Sequence, residues 1–155
     1  MEKTYTVQEA KACLEAYCAY QERCHREVVA KLRTMGMIPL AIDDIVVHLI
    51  HYGFLNEERY ARSFARGKFY NKKWGRLRIQ RELKARGLTD YNIEAGLSEI
   101  TDDDYYNTLN LLAEKKQAAI KEKKPYKAKA KLANFLLYRG FEPELVYEIV
   151  DELYD

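Results

Sequence analysis

Apolar positions recur along this chain in one pattern, used three times. Gly36, Gly87 and Gly140 stand about fifty residues apart, and each has the same apolar residues around it. Eight positions before each glycine is Val28, Ile79 or Leu132, and four before is Leu32, Leu83 or Leu136. One position after comes Met37, Leu88 or Phe141, and six after comes Ile42, Ile93 or Val146. Ten after stands Val46, Leu97 or Val150, and thirteen after stands Leu49, Ile100 or Leu153. The first two positions share one face of a helix, and the last three share one face of the next. Each repeat predicts a helix, a turn that leaves it through a left-handed glycine, and a second helix.

Further helices complete three groups of three. Thr6-Val7-Gln8-Glu9 reads as a capping box opening the first helix, which reaches Cys18 or a little beyond. A second helix spans about Cys24 to Met35, and a third runs from Pro39 to Gly53. Asn56 caps a fourth that extends to about Asn71 and carries Glu57 and Glu58 in its first turn. A Lys72-Lys73-Trp74-Gly75 link leads to the fifth; Thr89 or Asp90 opens the sixth and Thr101 the seventh. The eighth starts near Tyr126 and the ninth at Pro143. The expected fold is all-α: three tandem three-helix modules of helix-turn-helix outline in an elongated, curved array. Their boundaries are 1–55, 56–101 and 102–155. With no heptad seam, a monomer is expected.

Charge changes the picture. The net charge is only +2, but the stretch Arg59 to Arg86 holds eleven bases and a single acid, Glu82. On the fourth helix Arg59, Arg62 and Arg66 fall within about a sixth of a turn, opposite Tyr60, Ala61, Phe64 and Ala65. On the fifth, Ile79 and Leu83 face inward and Arg78 and Arg81 outward. Like-charge repulsion in this stretch goes unrelieved unless a polyanionic or acidic partner neutralises it, and arginine suits bidentate contact with phosphate or carboxylate. A second basic run, Lys115 to Lys131, has eight lysines against Glu122 and reads equally as partner contact or solvated surface. Trp74, the one tryptophan, is either a plug over the core of the second module or an aromatic anchor at an interface.

Other chemistry finds little footing. Cys13, Cys18 and Cys24 lack a close Cys-x-x-Cys pair and read as buried or half-buried free thiols, not a metal site. His48 and His51 have no acid or cysteine at matching spacing. There is no phosphate-cradling glycine loop and no His-Glu-x-x-His, so no enzyme, cofactor or metal is expected. No apolar stretch follows Met1-Glu2-Lys3, and the longest apolar run is too short to span a bilayer, so a cytoplasmic protein away from membranes is expected.

Two segments carry a family likeness: Gly53-Phe54-Leu55-Asn56-Glu57-Glu58-Arg59-Tyr60-Ala61, and Trp74-Gly75 followed by Arg78-Ile79, Glu82-Leu83 and Arg86-Gly87-Leu88. In these the chain resembles the bacterial RecX family of regulators of the RecA recombinase, over essentially its whole length. The resemblance implies a protein that binds RecA and the RecA–single-stranded DNA filament. It implies inhibition or modulation of recombinase and co-protease activity in DNA repair, recombination and the SOS response. It also implies a contact region at Arg59, Arg62, Arg66, Lys72, Lys73, Trp74, Arg76, Arg78 and Arg81. The alternative is a sequence-tolerant DNA-binding protein acting directly through the basic helices of module two.

Overall fold

A computed structural model describes residues 3–155. The chain start read from the sequence, at Met1 and Glu2, lies outside the described residues. The described residues form nine α-helices and no strand: α1 Val7–Tyr20, α2 His25–Thr34, α3 Pro39–His51, α4 Glu57–Arg66, α5 Arg76–Ala85, α6 Asp90–Leu97, α7 Asp102–Ala119, α8 Pro125–Tyr138 and α9 Pro143–Leu153. A π-helical turn, Gly67–Asn71, prolongs α4.

The repeat glycines do what their spacing requires. Gly36, Gly87 and Gly140 have φ of 78°, 83° and 98°, a region that side chains with a Cβ enter at a cost. Each closes its helix with the same pair of backbone bonds. The glycine amide donates to Arg33, Lys84 or Leu137, and the next amide donates to Leu32, Leu83 or Leu136. This is the Schellman closure, which satisfies two of the carbonyls left over at a helix end. The residue after each glycine turns its apolar side chain back towards the same core. Of the eighteen repeat positions all are buried except Met37, Leu97 and Leu153, which are half-buried.

The helix starts also follow the local chemistry. Thr6 and Glu9 form the reciprocal capping box, at 3.0 and 3.1 Å. Asn56, Thr89 and Thr101 accept from the amides of Arg59, Asn92 and Asp104. Pro39, Pro125 and Pro143 each occupy a first helical position, where no amide is needed.

Two compact units result. One comprises Met1–Ser63 with Leu83–Gly96, the other Phe64–Glu82 with Leu97–Asp155. In the first, α1, α2 and α3 pack together around Leu14, Leu32, Ile45 and Leu49, all fully buried. Gly96 of α6 lies so close to Ala61 of α4 that a Cβ there would stand 2.6 Å from the Ala61 carbonyl oxygen. In the second unit α7, α8 and α9 pack together, and Phe69, Tyr105 and Phe141 form an aromatic cluster with centroids 5.6 and 5.3 Å apart.

Two expectations need correction. The fourth helix does not run unbroken to Asn71: from Gly67 its winding loosens into the π turn, which brings Phe69 fully inside. Of the three free thiols only Cys18 and Cys24 are buried; Cys13 points outward from α1 and is exposed.

Candidate partner-binding face

The basic stretch is less unsatisfied than its sequence suggests, because acids from α4 itself and from other segments of the chain meet it. Arg59 meets Glu22 at 2.6 Å and also donates to the carbonyls of Gly53 and Phe54. Arg62 pairs with Glu58 one turn earlier, at 3.5 Å, and Arg66 with Glu99 at 3.0 Å. Lys84 reaches Asp90 at 3.4 Å. Exposed pairs of this kind contribute little to stability, but they neutralise the charge locally. The premise that only an external partner relieves the repulsion is therefore corrected for these residues.

Arg76 is held most firmly. Its guanidinium contacts Asp102 at 2.7 Å and Glu142 at 3.2 Å, and lies 3.9 Å from the centroid of the Tyr105 ring. The Tyr105 hydroxyl donates to Glu142 and accepts from the Arg76 amide at 2.9 Å. Burial pushes the Tyr105 pKa far above the ordinary phenol range, and Glu142 adds to the shift. The phenol stays protonated and keeps donating. Arg76 thus ties the start of α5 to α7 and α9 and serves the fold of the second unit.

Five of the expected contact residues remain: Lys72, Lys73, Trp74, Arg78 and Arg81. Among the described residues none of the four cations has a carboxylate partner. The link that carries them is fixed by backbone contacts. The Gly75 amide donates to the Arg139 carbonyl at 2.8 Å, and the Leu77 amide to the Gly140 carbonyl at 3.0 Å. The Arg139 guanidinium donates to the Lys72 carbonyl at 2.7 Å. A Cβ on Gly75 would collide with the Gly140 backbone, and one on Gly140 with Arg78. The two glycines let the link pass directly against the turn that ends α8.

Lys73 takes a left-handed backbone, φ 59°, the one residue other than glycine with positive φ among those described. Its Nζ donates to the Tyr70 carbonyl at 2.6 Å. Trp74 is half-buried, with Phe64 edge-on at 6.3 Å, the Arg78 guanidinium 4.0 Å from its centroid and the Lys68 ammonium at 4.9 Å. Its ring is neither a sealed plug nor free in solvent; it is the floor on which two cations rest. Arg78 also lies 5.5 Å from the Tyr138 ring, which is 78% exposed. Arg81, one turn on from Arg78, is exposed.

Sequence reasoning misses Tyr138 and Arg139 as members of this face. The available signal is their place just before Gly140, since the residues ahead of a repeat glycine end a helix that a neighbouring segment can meet. His48, a metal ligand by residue type, instead pairs with Glu15 at 2.9 Å. Among the described residues no group of three or more His, Cys, Asp or Glu is placed to hold a metal ion. Among them, too, no helix is long and apolar enough to cross a membrane.

Comparison with known proteins agrees with this architecture. Residues 56–97 match the family model for the second three-helix domain of RecX, and residues 102–150 match that for the third. The regulatory protein RecX of Bacillus cereus (strain AH820) is 28% identical over 153 residues, as is that of Bacillus anthracis (strain A0248). The match takes in 97% of this chain but 57% of theirs, so the chain spans little more than half the length of these relatives. The crystal structure of RecX from Lactobacillus salivarius superposes with a TM-score of 0.84 at 26% identity, covering 95% of this chain and 96% of that one. A second crystal structure, of a regulatory protein RecX, has the same fold, with a TM-score of 0.80 at 21% identity over 94% of this chain and 74% of its own.

Proposed function

The chain belongs to the RecX family, and from that premise we propose that it is a non-enzymatic regulator that binds the RecA recombinase on single-stranded DNA and lowers its recombinase and co-protease activities. The observation that carries the reading is the Arg78 guanidinium resting on the Trp74 ring, in a stretch where Lys72, Lys73 and Arg81 likewise have no carboxylate partner among the described residues. Arginine stacked on tryptophan, both half-buried, is the composition of an interface anchor, and an acidic protein surface or a phosphate backbone would complete its charge. Arg59, Arg62, Arg66 and Arg76, implicated by the family resemblance, are assigned to holding the chain's own helices, because each already meets a carboxylate. The three repeats are taken as modules 1–55, 56–101 and 102–155, with the second supplying the contact. The cytoplasm is the compartment in which such a partner is met.

The test measures RecA ATPase on single-stranded DNA with the parent protein and with a variant in which Lys72, Lys73, Arg78 and Arg81 are alanine. Binding of each to bare single-stranded DNA is measured alongside. The parent is expected to slow the ATPase and the variant to lose most of that effect while its circular dichroism stays unchanged. A parent without effect on RecA sinks the reading. A variant as inhibitory as the parent removes this face from it. If inhibition by the two proteins instead follows their affinity for bare DNA, the direct DNA-binding reading replaces it.

A further inference from the structure

The second basic run reverses the fate of the first. Of the eight lysines from Lys115 to Lys131, only Lys129 and Lys131 have carboxylate partners among the described residues, Asp151 and Glu122, both at 3.8 Å. Two of the others, Lys116 and Lys121, line one concavity. Between the end of α7 and the outer face of α8 lies an open groove of about 610 Å³, bordered by Lys116, Lys121, Lys131, Asn134, Phe135 and Tyr138. The Lys116 ammonium sits 4.9 Å from the Phe135 centroid, and the Arg139 guanidinium 5.2 Å from the same ring. The Tyr138 ring, at the end of the groove, is 78% exposed and has Arg78 5.5 Å from its centroid.

We propose that this α7–α8 groove binds single-stranded nucleic acid, with phosphates on Lys116 and Lys121 and a base stacked on Tyr138. The groove presents Lys116 and Lys121 from the α7 side and Lys131 and Asn134 from α8, with the exposed Tyr138 among the residues that border it. Cations spaced along a channel with an open aromatic face are the two parts of a sequence-tolerant strand site: charge follows the backbone and the ring accepts any base. The groove volume falls within the range of about 300–1,000 Å³ usual for small-ligand sites. A strand rather than a free nucleotide is favoured because a further cation adjoins Tyr138: the Arg78 guanidinium lies 5.5 Å from its ring centroid and 4.0 Å from that of Trp74. An acidic peptide would match the lysines but leave the exposed ring without a flat partner. The inference does not rest on the RecA reading.

The experiment uses the full chain without RecA. Fluorescence anisotropy of a labelled oligothymidylate of about twenty nucleotides is followed at several salt concentrations, against the parent, the Lys116→Gln/Lys121→Gln double variant and Tyr138→Ala. The parent is expected to bind, and the double variant's salt slope to be shallower by roughly 0.7 for each phosphate it no longer neutralises. Tyr138→Ala is expected to weaken binding about 5- to 150-fold, with the salt slope kept. An abasic strand of the same length and charge separates stacking from charge; the parent should bind it more weakly, and Tyr138→Ala should bind both strands alike. Overturning results are no binding by the parent, parent-like binding by a folded double variant, or equal parent affinity for the abasic strand. Adding RecA ATPase keeps the two readings apart. A parent that inhibits RecA but binds no strand defeats this inference alone, and one that binds the strand but leaves RecA untouched defeats only the regulatory reading.

Discussion

Gly75 and Gly140 meet backbone to backbone, with no room for a side chain on either. One ends the lysine-rich link and the other ends α8, so the contact holds Lys72, Trp74 and Arg78 beside Tyr138 and Arg139. Gly75→Ala places a methyl against backbone that cannot rotate away. We expect it to lower stability by about 3 kcal/mol, the upper end of the usual overpacking range. Gly67→Ala is the control. Nothing lies within 4 Å of its would-be Cβ and its φ is not positive, so stability should hold or rise by up to about 1 kcal/mol. Urea denaturation of both variants checks the pair, and an unchanged midpoint for Gly75→Ala would refute the close approach.

Leu83 stands four residues before the second repeat glycine and is fully buried. Its carbonyl also receives the Leu88 amide at 3.3 Å in the Schellman closure. Leu83→Ala should remove about 2–5 kcal/mol, from reduced burial together with the cavity left behind. Chemical denaturation reads this directly, and a parent-like midpoint would contradict the assigned core.

Arg76 and Arg81 look alike in sequence and differ in role. Arg76→Ala strips Glu142 and Asp102 of a shared partner and uncovers one face of Tyr105. A loss of about 1.5–3 kcal/mol is expected, as for hydrogen bonds to charged groups. Arg81→Ala should stay within about 0.5 kcal/mol of the parent. Thermal melts that rank the two in the opposite order would undo the division between folding and binding arginines.

The three thiols should separate by rate. Cys13 is exposed, whereas Cys18 is 5% and Cys24 0% exposed. Burial also raises the pKa of the two inner thiols, so less thiolate is present near neutral pH to react. Iodoacetamide with mass-spectrometric readout should modify Cys13 first and reach the others only as the unit opens. Simultaneous labelling of all three in the native protein would contradict the packing of α1 and α2.

The helices are legible in the sequence because their signals are local. Thr6 with Glu9, Asn56, Pro143 and the three repeat glycines each act within a few residues, on groups that the sequence places beside them. The state of the arginines is not legible in that way. Arg59 is thirty-seven positions from Glu22, and Arg76 sixty-six from Glu142, so only the folded chain brings the acids to the bases. The basic stretch is a cluster, as its composition says, but its cations without carboxylates include Lys72, Lys73, Arg78 and Arg81, with the firmly paired Arg76 among them, and of the second basic run only Lys129 and Lys131 meet carboxylates among the described residues. The π turn escapes for another reason: Gly67-Lys68-Phe69-Tyr70-Asn71 continues a helical pattern, and the looser winding answers to the burial of Phe69.

Lys73 sits in a backbone conformation that glycine or asparagine would occupy more readily, by about 1 kcal/mol. Lys73→Gly is thus an improvement by one measure and a loss by another, since it relaxes the link and deletes a cation from the face proposed to bind. A library of this protein sorted only by melting temperature would drift toward glycine or asparagine at position 73 and away from partner affinity. On the proposed function, selection for heat resistance and selection for binding would pull on a single codon in opposite directions.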